Sequence, residues 1–317
     1  MTIMTATRLP LEASIYIAGH SGLAGSAIWR HLLELGYENL HGWRSSEIDL
    51  REARPIADAL MELKPDCVIV AAARVGGISA NDKYPVEFLS ENLAIQNNVM
   101  SAAHAAGVNR LVFLGSSCIY PKFAQQPIRE DSLLTGALEP TNDAYAVAKI
   151  AGIKLVQSYR KQYGRQWISA MPTNLYGPGD NYDLENSHVL AALIHRFTVA
   201  TNSASPSVTL WGSGTPRREF LHSDDLASAI VTLIEKYDSP EPINIGTGVD
   251  LTIKELANQI AETVGYTGKI AWDVTKPDGT PRKLLDISKL KGLGWSPRVE
   301  LRQGLRMVCA EFAGLWS

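Results

Sequence analysis

Residues 14–25 read SIYIAGHSGLAG. Ser14 to Ala18 form a short, mostly apolar run that stops at Gly19, and from Leu23 to Leu35 apolar residues recur at helical spacing until Gly36 ends the segment. The pattern predicts a strand, a glycine turn and a helix. Gly19, His20, Ser21, Gly22, Leu23, Ala24 and Gly25 fill that turn at GxxGxxG spacing. Glycine allows the sharp turn, lets backbone N–H groups approach a pyrophosphate at the helix N-terminus, and permits close packing of helix on sheet. Three glycines alone also suit an ordinary tight turn, but their place inside a βαβ unit points to a dinucleotide site.

Outward from this stretch the alternation continues. Apolar runs at Asn39 to Trp43, Cys67 to Ala73, Arg110 to Gly115 and Trp167 to Thr173 are separated by helical patterns at Ala53 to Leu63, Asn92 to Ala106 and Asp143 to Tyr163. Continuous apolar strands between helices predict an α/β protein with a Rossmann-type, doubly wound parallel sheet covered on both faces. NLYGPGDNYDLENS, from Asn174, is dense in Gly, Pro and Asn and marks a boundary. Beyond it the elements shorten: helices from His188 to Ala200, Asp224 to Lys236, Ile253 to Val264 and Leu301 to Phe312, and strands at Val208 to Trp211 and Pro242 to Ile245. The expected division is a dinucleotide-binding lobe over 14–175, with about 215–247 returning to it, and a smaller α/β substrate-binding lobe within 176–317.

Composition agrees. The 317 residues are 45% hydrophobic and 20% charged with a formal net charge of −3, and no run of five like charges occurs. This disfavours disorder, a nucleic-acid footprint or a polybasic membrane patch, and leaves a small molecule as the expected partner. Cys67, Cys118 and Cys309 are an odd number without a CxxC pair, which suits a reducing cytoplasm and no metal ribbon. The first thirteen residues lack the apolar core of a signal peptide, and no apolar run is long enough to span a bilayer. A cytoplasmic location is expected.

The second strand runs into Trp43-Arg44-Ser45-Ser46 and meets no acid until Glu47. A site that prefers NAD usually ends this strand with an acid for the ribose 2′-hydroxyl; a cation and two hydroxyls suit a 2′-phosphate, so NADPH is expected unless Arg44 is only a solvated charge. Asp49 and Leu50 are placed to meet the adenine edge, and Arg74, Gly76 and Gly77 to line the phosphates.

Tyr145 and Lys149 are four residues apart and share one helix face, where an ammonium beside a phenol lowers the phenol's pKa. Such pairs usually decorate a solvated face. Here the pair follows a dinucleotide turn and a strand ending Gly115-Ser116-Ser117-Cys118-Ile119-Tyr120-Pro121, where a serine hydroxyl reaches the same reacting oxygen.

GxxGxxG, the strand-end serine and YxxxK, in this order over nearly the whole chain, resemble the extended short-chain dehydrogenase/reductase family. GSSCIYP (115–121), LEPTNDAYAVAKIAGIKL (138–155), MPTNLYGPGDN (171–181), NSHV (186–189), WGSGTPRREFLH (211–222) and KPDGTPRKLLD (276–286) narrow the resemblance to its GDP-4-keto-sugar epimerase-reductases. The resemblance implies epimerisation of GDP-4-keto-6-deoxy-D-mannose at carbons 3 and 5, then reduction of the 4-ketone by NADPH to GDP-L-fucose. It implies reductase roles for Ser116, Tyr145 and Lys149, and epimerase roles for Cys118 as base and His188 as acid. By residue type alone Cys118 reads as a small buried hydrophobe and His188 as a helix-start residue. Leu114, Gly115, Ser117, Pro172, Thr173, Asn174, Leu175 and His188 are expected to line the cofactor with Tyr145 and Lys149.

The resemblance also implies that Arg196, Trp211, Arg218 and Asp278 hold the nucleotide sugar, with Lys83 and Arg282 as further candidates. Each has a bland alternative: Trp211 as core, Arg196 as a surface charge, Asp278 as a turn residue. A GDP-L-colitose-forming relative, a nucleotide-sugar 4-epimerase and a non-catalytic NADP sensor are the competing readings. A homodimer paired through the helix of Tyr145 and its neighbour is the expected assembly.

Overall fold

The computed structural model describes residues 8–183, 187–276 and 278–314. Asn186, which opens the NSHV motif, and Pro277, in KPDGT, lie outside the described residues. In chain order the first elements are β1 (Ile15–Ala18), α1 (Leu23–Glu34), β2 (Leu40–His41), α2 (Ala53–Leu63), β3 (Cys67–Val70), α3 (Ile78–Lys83), α4 (Pro85–Ala105), β4 (Arg110–Leu114), α5 (Asp143–Tyr163) and β5 (Gln166–Pro172). The chain continues through β6 (Asn174–Tyr176), α6 (Val189–Asn202), β7 (Ser207–Trp211), β8 (Arg217–Arg218), β9 (Phe220–His222), α7 (Ser223–Lys236) and β10 (Ile243–Ile245). It then forms β11 (Leu251–Thr252), α8 (Ile253–Val264), β12 (Lys269–Asp273), β13 (Arg282–Lys283), α9 (Ser288–Gly292) and α10 (Leu301–Gly314).

The central sheet has the order β2-β1-β3-β4-β5-β10, and every neighbouring pair is parallel. Chain order reverses at β1, which is flanked by β2 and β3, so the glycine turn sits at the switch point where an open α/β sheet leaves a crevice. The alternation of side chains along β1 explains why this strand is apolar throughout. Ile15 and Ile17 enter one core with α1 and α7, while Tyr16 and Ala18 enter the other with α2, α4 and α5. Each fully buried isoleucine contributes about 1.5–3 kcal/mol of transfer free energy.

Helix α7 and strand β10 return to this sheet: Leu226, Ile230 and Leu233 join the core that holds Ile15 and Ile17. Arg110 fastens them, donating from its buried guanidinium to the carbonyls of Leu233, Ile234 and Tyr237 at 2.7–2.9 Å and to Gln166. A cation at the end of a helix satisfies carbonyls that have no intrahelical partner. Leu290 and Trp295, late in the chain, pack on the same core. A third core gathers Leu193, Phe197, Leu256, Ile260, Leu305 and Phe312 from α6, α8 and α10.

Several elements differ from the sequence pattern. The run expected over Asn39 to Trp43 pairs only at Leu40–His41; just beyond it, the backbone of Gly42 lies against the His20 ring, where a Cβ would have no room. Helix α4 starts at Pro85, in the first turn where no intrahelical N–H donor is needed, and not at Asn92. Strands of two or three residues, β6, β8, β9, β11 and β13, leave no periodicity to read.

One buried group locks the later segments together. Glu219 is fully buried, and its Oε1 accepts from the N–H groups of Thr247 and Gly248, each at 2.6 Å, while Oε2 accepts from Leu285 N at 3.1 Å. It ties the residue before β9 to the turn after β10 and to the residues just after β13.

Candidate active site

The glycine turn forms a cradle. Gly19 has φ +82°, and a Cβ there would stand 2.7 Å from the Ala72 backbone nitrogen; a Cβ on Gly25 would sit on the Gly19 carbonyl. Gly22 caps α1 with extended backbone and no side-chain acceptor, and the first helical turn carries no acid. The N–H groups of Leu23, Ala24 and Gly25 therefore lack capping partners at the positive end of a twelve-residue helix. His20 Nδ1 is also buried without a partner, and Ser21 is exposed. The cradle and the bare helix end fit a dinucleotide pyrophosphate.

Arg44, Ser45 and Ser46 are exposed, and Glu47 turns its carboxylate onto the Arg44 backbone N–H at 2.7 Å, leaving the Arg44 guanidinium without a side-chain partner among the described residues. This arrangement fits a 2′-phosphate. Two neighbouring residues are engaged elsewhere. Asp49, expected at the adenine edge, receives two close bonds from the Arg51 guanidinium, at 2.6 and 2.9 Å, and these hold its pKa below the ordinary value. Arg74, expected at the phosphates, pairs with Glu91 at 2.8 Å and lies over the Phe88 ring. The Leu50 carbonyl is taken by Asn98.

The candidate catalytic residues lie at the carboxyl end of β4 and on α5. Gly115 donates to the Ala170 carbonyl, and a Cβ on it would displace the end of the Met171 side chain, which packs against the glycine where the chain leaves β4. Ser116 then caps a short turn, its Oγ accepting from Cys118 N at 3.2 Å, while Ser117 is buried. Tyr145, from α5, lies close enough to Ser116 for the serine hydroxyl to favour its ionised form. Lys149, one turn later and 3% exposed, donates to the Leu114 carbonyl at 2.9 Å.

The expectation that Lys149 lowers the Tyr145 pKa is not met. Burial, with a negative charge on Cys118 adding to it, pushes the phenol above its ordinary range against the effect of the Ser116 hydroxyl. Lys149 itself is pushed down to about 7 by burial. Its hydrogen bond is spent on a carbonyl, and an ammonium that readily loses its proton gives a neighbouring phenol little charge.

Cys118 is half-buried and faces a cluster of donors: Lys283 Nζ lies 3.5 Å and Asn142 Nδ2 3.7 Å from its sulfur. Burial raises the thiol, but Lys283, the Ser116 hydrogen bond and Arg218 outweigh it and the net direction is downward. His188 sits at the N-cap of α6 without capping it, and burial first, then the Lys283 charge, push its imidazole below the ordinary value. One lysine thus influences both residues. Lys283 and Asn142 were not singled out in the sequence, although the dibasic pairs Arg217-Arg218 and Arg282-Lys283 were a visible signal.

Pro172 ends β5, Thr173 donates to Ile245, and Asn174 donates to the Glu219 carbonyl at 2.8 Å; Leu175 packs on the sheet core. These residues begin the crossing into the later part of the chain. Trp211 is 60% exposed with Lys276 over its ring, so it is not a core residue. Asp278 accepts from Ser213 N at 2.9 Å and Oγ at 2.6 Å, pinning the loop after β7. Arg218 is half-buried, with Asp278 and Glu139 acting on its charge, and Arg196 is half-buried on α6. Lys83 lies over the Tyr84 ring. Arg282 points away from the site to Asp250, 2.5 Å distant, because adjacent strand residues face opposite sides. No group of acidic, His or Cys side chains suited to a metal ion occurs among the described residues.

A sequence model of the NAD dependent epimerase/dehydratase family matches residues 15–246. "GDP-L-fucose synthase 1" of Arabidopsis thaliana is 56% identical, over 93% of this chain and 91% of its own length. "GDP-L-fucose synthase" of Escherichia coli strain K12 is 52% identical, over 92% and 94% respectively. Among solved structures, a GDP-L-fucose synthetase from Naegleria fowleri bound to NADP superposes with a TM-score of 0.89 at 27% identity, covering 99% of this chain and 98% of that one.

Proposed function

The chain belongs to the NAD dependent epimerase/dehydratase family, and we propose that it converts GDP-4-keto-6-deoxy-D-mannose to GDP-L-fucose by 3,5-epimerisation followed by NADPH-dependent reduction of the 4-ketone. The observation that carries this reading is that Ser116, Tyr145 and Cys118 act on one another, with the Lys283 ammonium at the Cys118 sulfur and its charge felt by His188 as well. Curated relatives at 52 and 56% identity bear the corresponding name.

A proton beside a ketone is acidic because the departing electron pair is delocalised onto oxygen. Cys118 is the base that removes it at carbons 3 and 5, and His188 returns a proton to the opposite face. The lowered pKa of His188 makes its imidazolium the stronger acid. In the reduction, NADPH supplies the hydride. Tyr145 delivers a proton to the developing 4-alkoxide, Ser116 holds the carbonyl, and Lys149 bonds the nicotinamide ribose. Gly19 to Gly25 hold the pyrophosphate and Arg44 the 2′-phosphate. Arg196, Trp211, Arg218 and Asp278 are the proposed GDP-sugar contacts from the lobe within 176–317.

Two copies are proposed to pair through α4 and α5, where Leu93, Ala94, Val147, Ala151 and Leu155 offer an apolar outward stripe. Ala151→Arg should yield monomers in sedimentation velocity. A cytoplasmic setting suits the three free cysteines.

The direct test is incubation with GDP-4-keto-6-deoxy-D-mannose and NADPH, following loss of the reduced nicotinamide and identifying the sugar. Stoichiometric oxidation and an L-fucosyl product are expected. No oxidation refutes the assignment, and turnover only of a 3-deoxy substrate would favour the colitose-forming alternative.

A further inference from the structure

Arg217-Arg218 and Arg282-Lys283 lie on parallel neighbouring strands, with Arg217 opposite Arg282 and Arg218 opposite Lys283. Alternation along a strand sorts the four cations by face. Arg217 and Arg282 both reach Asp250, at 3.0 and 2.5 Å. Lys283 extends the other way, to the sulfur of Cys118 at 3.5 Å.

We propose that Lys283 is a positioning residue that keeps Cys118 as its thiolate, so that the base is charged before substrate arrives. The proposal rests on the reading of Cys118 as the epimerisation base. Among the described residues no carboxylate pairs with Lys283, whereas Lys122 pairs with Glu139 and Lys289 with Glu130 and Glu241. Its strand is anchored immediately downstream, where Leu284 N donates to Gln126 and Leu285 N to Glu219. The ammonium is thus delivered to the thiol and not to an ion pair of its own.

The other groups facing Cys118 are accounted for. Arg218 adds a second positive charge, which Glu139 and Asp278 offset in part. Ser116 and Asn142 are neutral donors, and Tyr145 is held as the neutral phenol by burial. An opposite charge at this range lowers a thiol pKa, and the net direction for Cys118 is downward despite burial. The same charge depresses His188, so Lys283 moves both members of the proposed base–acid pair in one direction.

The test is the rate of Cys118 alkylation by iodoacetamide against pH in the full chain, with the labelled cysteine identified by peptide mass. Cys67 and Cys309 are buried, with thiols pushed up to about 12, and do not compete. Lys283→Met and Lys283→Gln should each raise the midpoint by about one pH unit or more, an approximately tenfold slower reaction below the midpoint, and Lys283→Arg should restore most of it. Folded variants that alkylate with the wild-type midpoint overturn the proposal. Failure of the base reading is separate: Cys118→Ser that keeps solvent deuterium exchange at carbons 3 and 5 would sink that reading while leaving the thiol titration as measured.

Discussion

The ammonium of Lys149 donates to the backbone carbonyl of Leu114, 2.9 Å away, at the end of the strand that leads into Ser116. It is buried and has been pushed from 10.5 down to about 7. Between about pH 7 and 10.5 the unfolded chain holds a proton on this group that the folded chain has lost, so folding gains stability as pH rises through that window. Lys149→Met should remove the gain. In urea unfolding at pH 7 and 9, wild-type stability minus variant stability should grow with pH, approaching about 1.4 kcal/mol per unit; a flat difference rejects the assignment.

The division of labour separates in solvent exchange. Tyr145→Phe removes the proposed proton donor and should slow nicotinamide oxidation by about 10²–10⁴-fold while deuterium still enters carbons 3 and 5. Cys118→Ser should depress exchange and oxidation together. Mass spectrometry of the recovered sugar reads both, and exchange lost in Tyr145→Phe would contradict separate roles.

The Arg44 guanidinium is exposed and has no side-chain partner among the described residues, and its backbone bonds to Glu47 and Ile48 do not depend on the side chain, so truncating it should be felt chiefly through the cofactor. Arg44→Ala is expected to weaken NADPH binding about 10–100-fold and leave NADH nearly unchanged, because charge-assisted bonds to a phosphate are worth about 1.5–3 kcal/mol. Fluorescence titration with the two cofactors measures it; equal losses would mean that Arg44 does not read the 2′-phosphate.

Glu219→Gln tests the buried tie between segments. The amide nitrogen would face N–H donors that the carboxylate now satisfies, those of Thr247 and Gly248 or that of Leu285. A destabilisation of about 1–3 kcal/mol per orphaned group is expected in urea melts. Because Leu285 lies two residues beyond Lys283, Cys118 alkylation should slow as well.

The sequence by itself determined the sheet and the cofactor cradle. Runs such as Ile15–Ala18 and Cys67–Val70 are buried on both faces and so must be apolar at every position, and a turn that admits no Cβ at Gly19 or Gly25 must be glycine. Such local requirements can be read without a fold. Helices α2, α5 and α8 were legible to the residue for the same reason, since a one-sided or regularly capped helix writes its period into the chain. Only the tertiary structure decided what the side chains of the site meet. Arg74 is drawn into an ion pair with Glu91, Arg282 turns away to Asp250, and Lys283 is brought to Cys118 across 165 residues of chain. Strands of two residues have no pattern of their own; their register comes from the partner strand and the Glu219 tie, and register decides which of two adjacent cations faces the thiol.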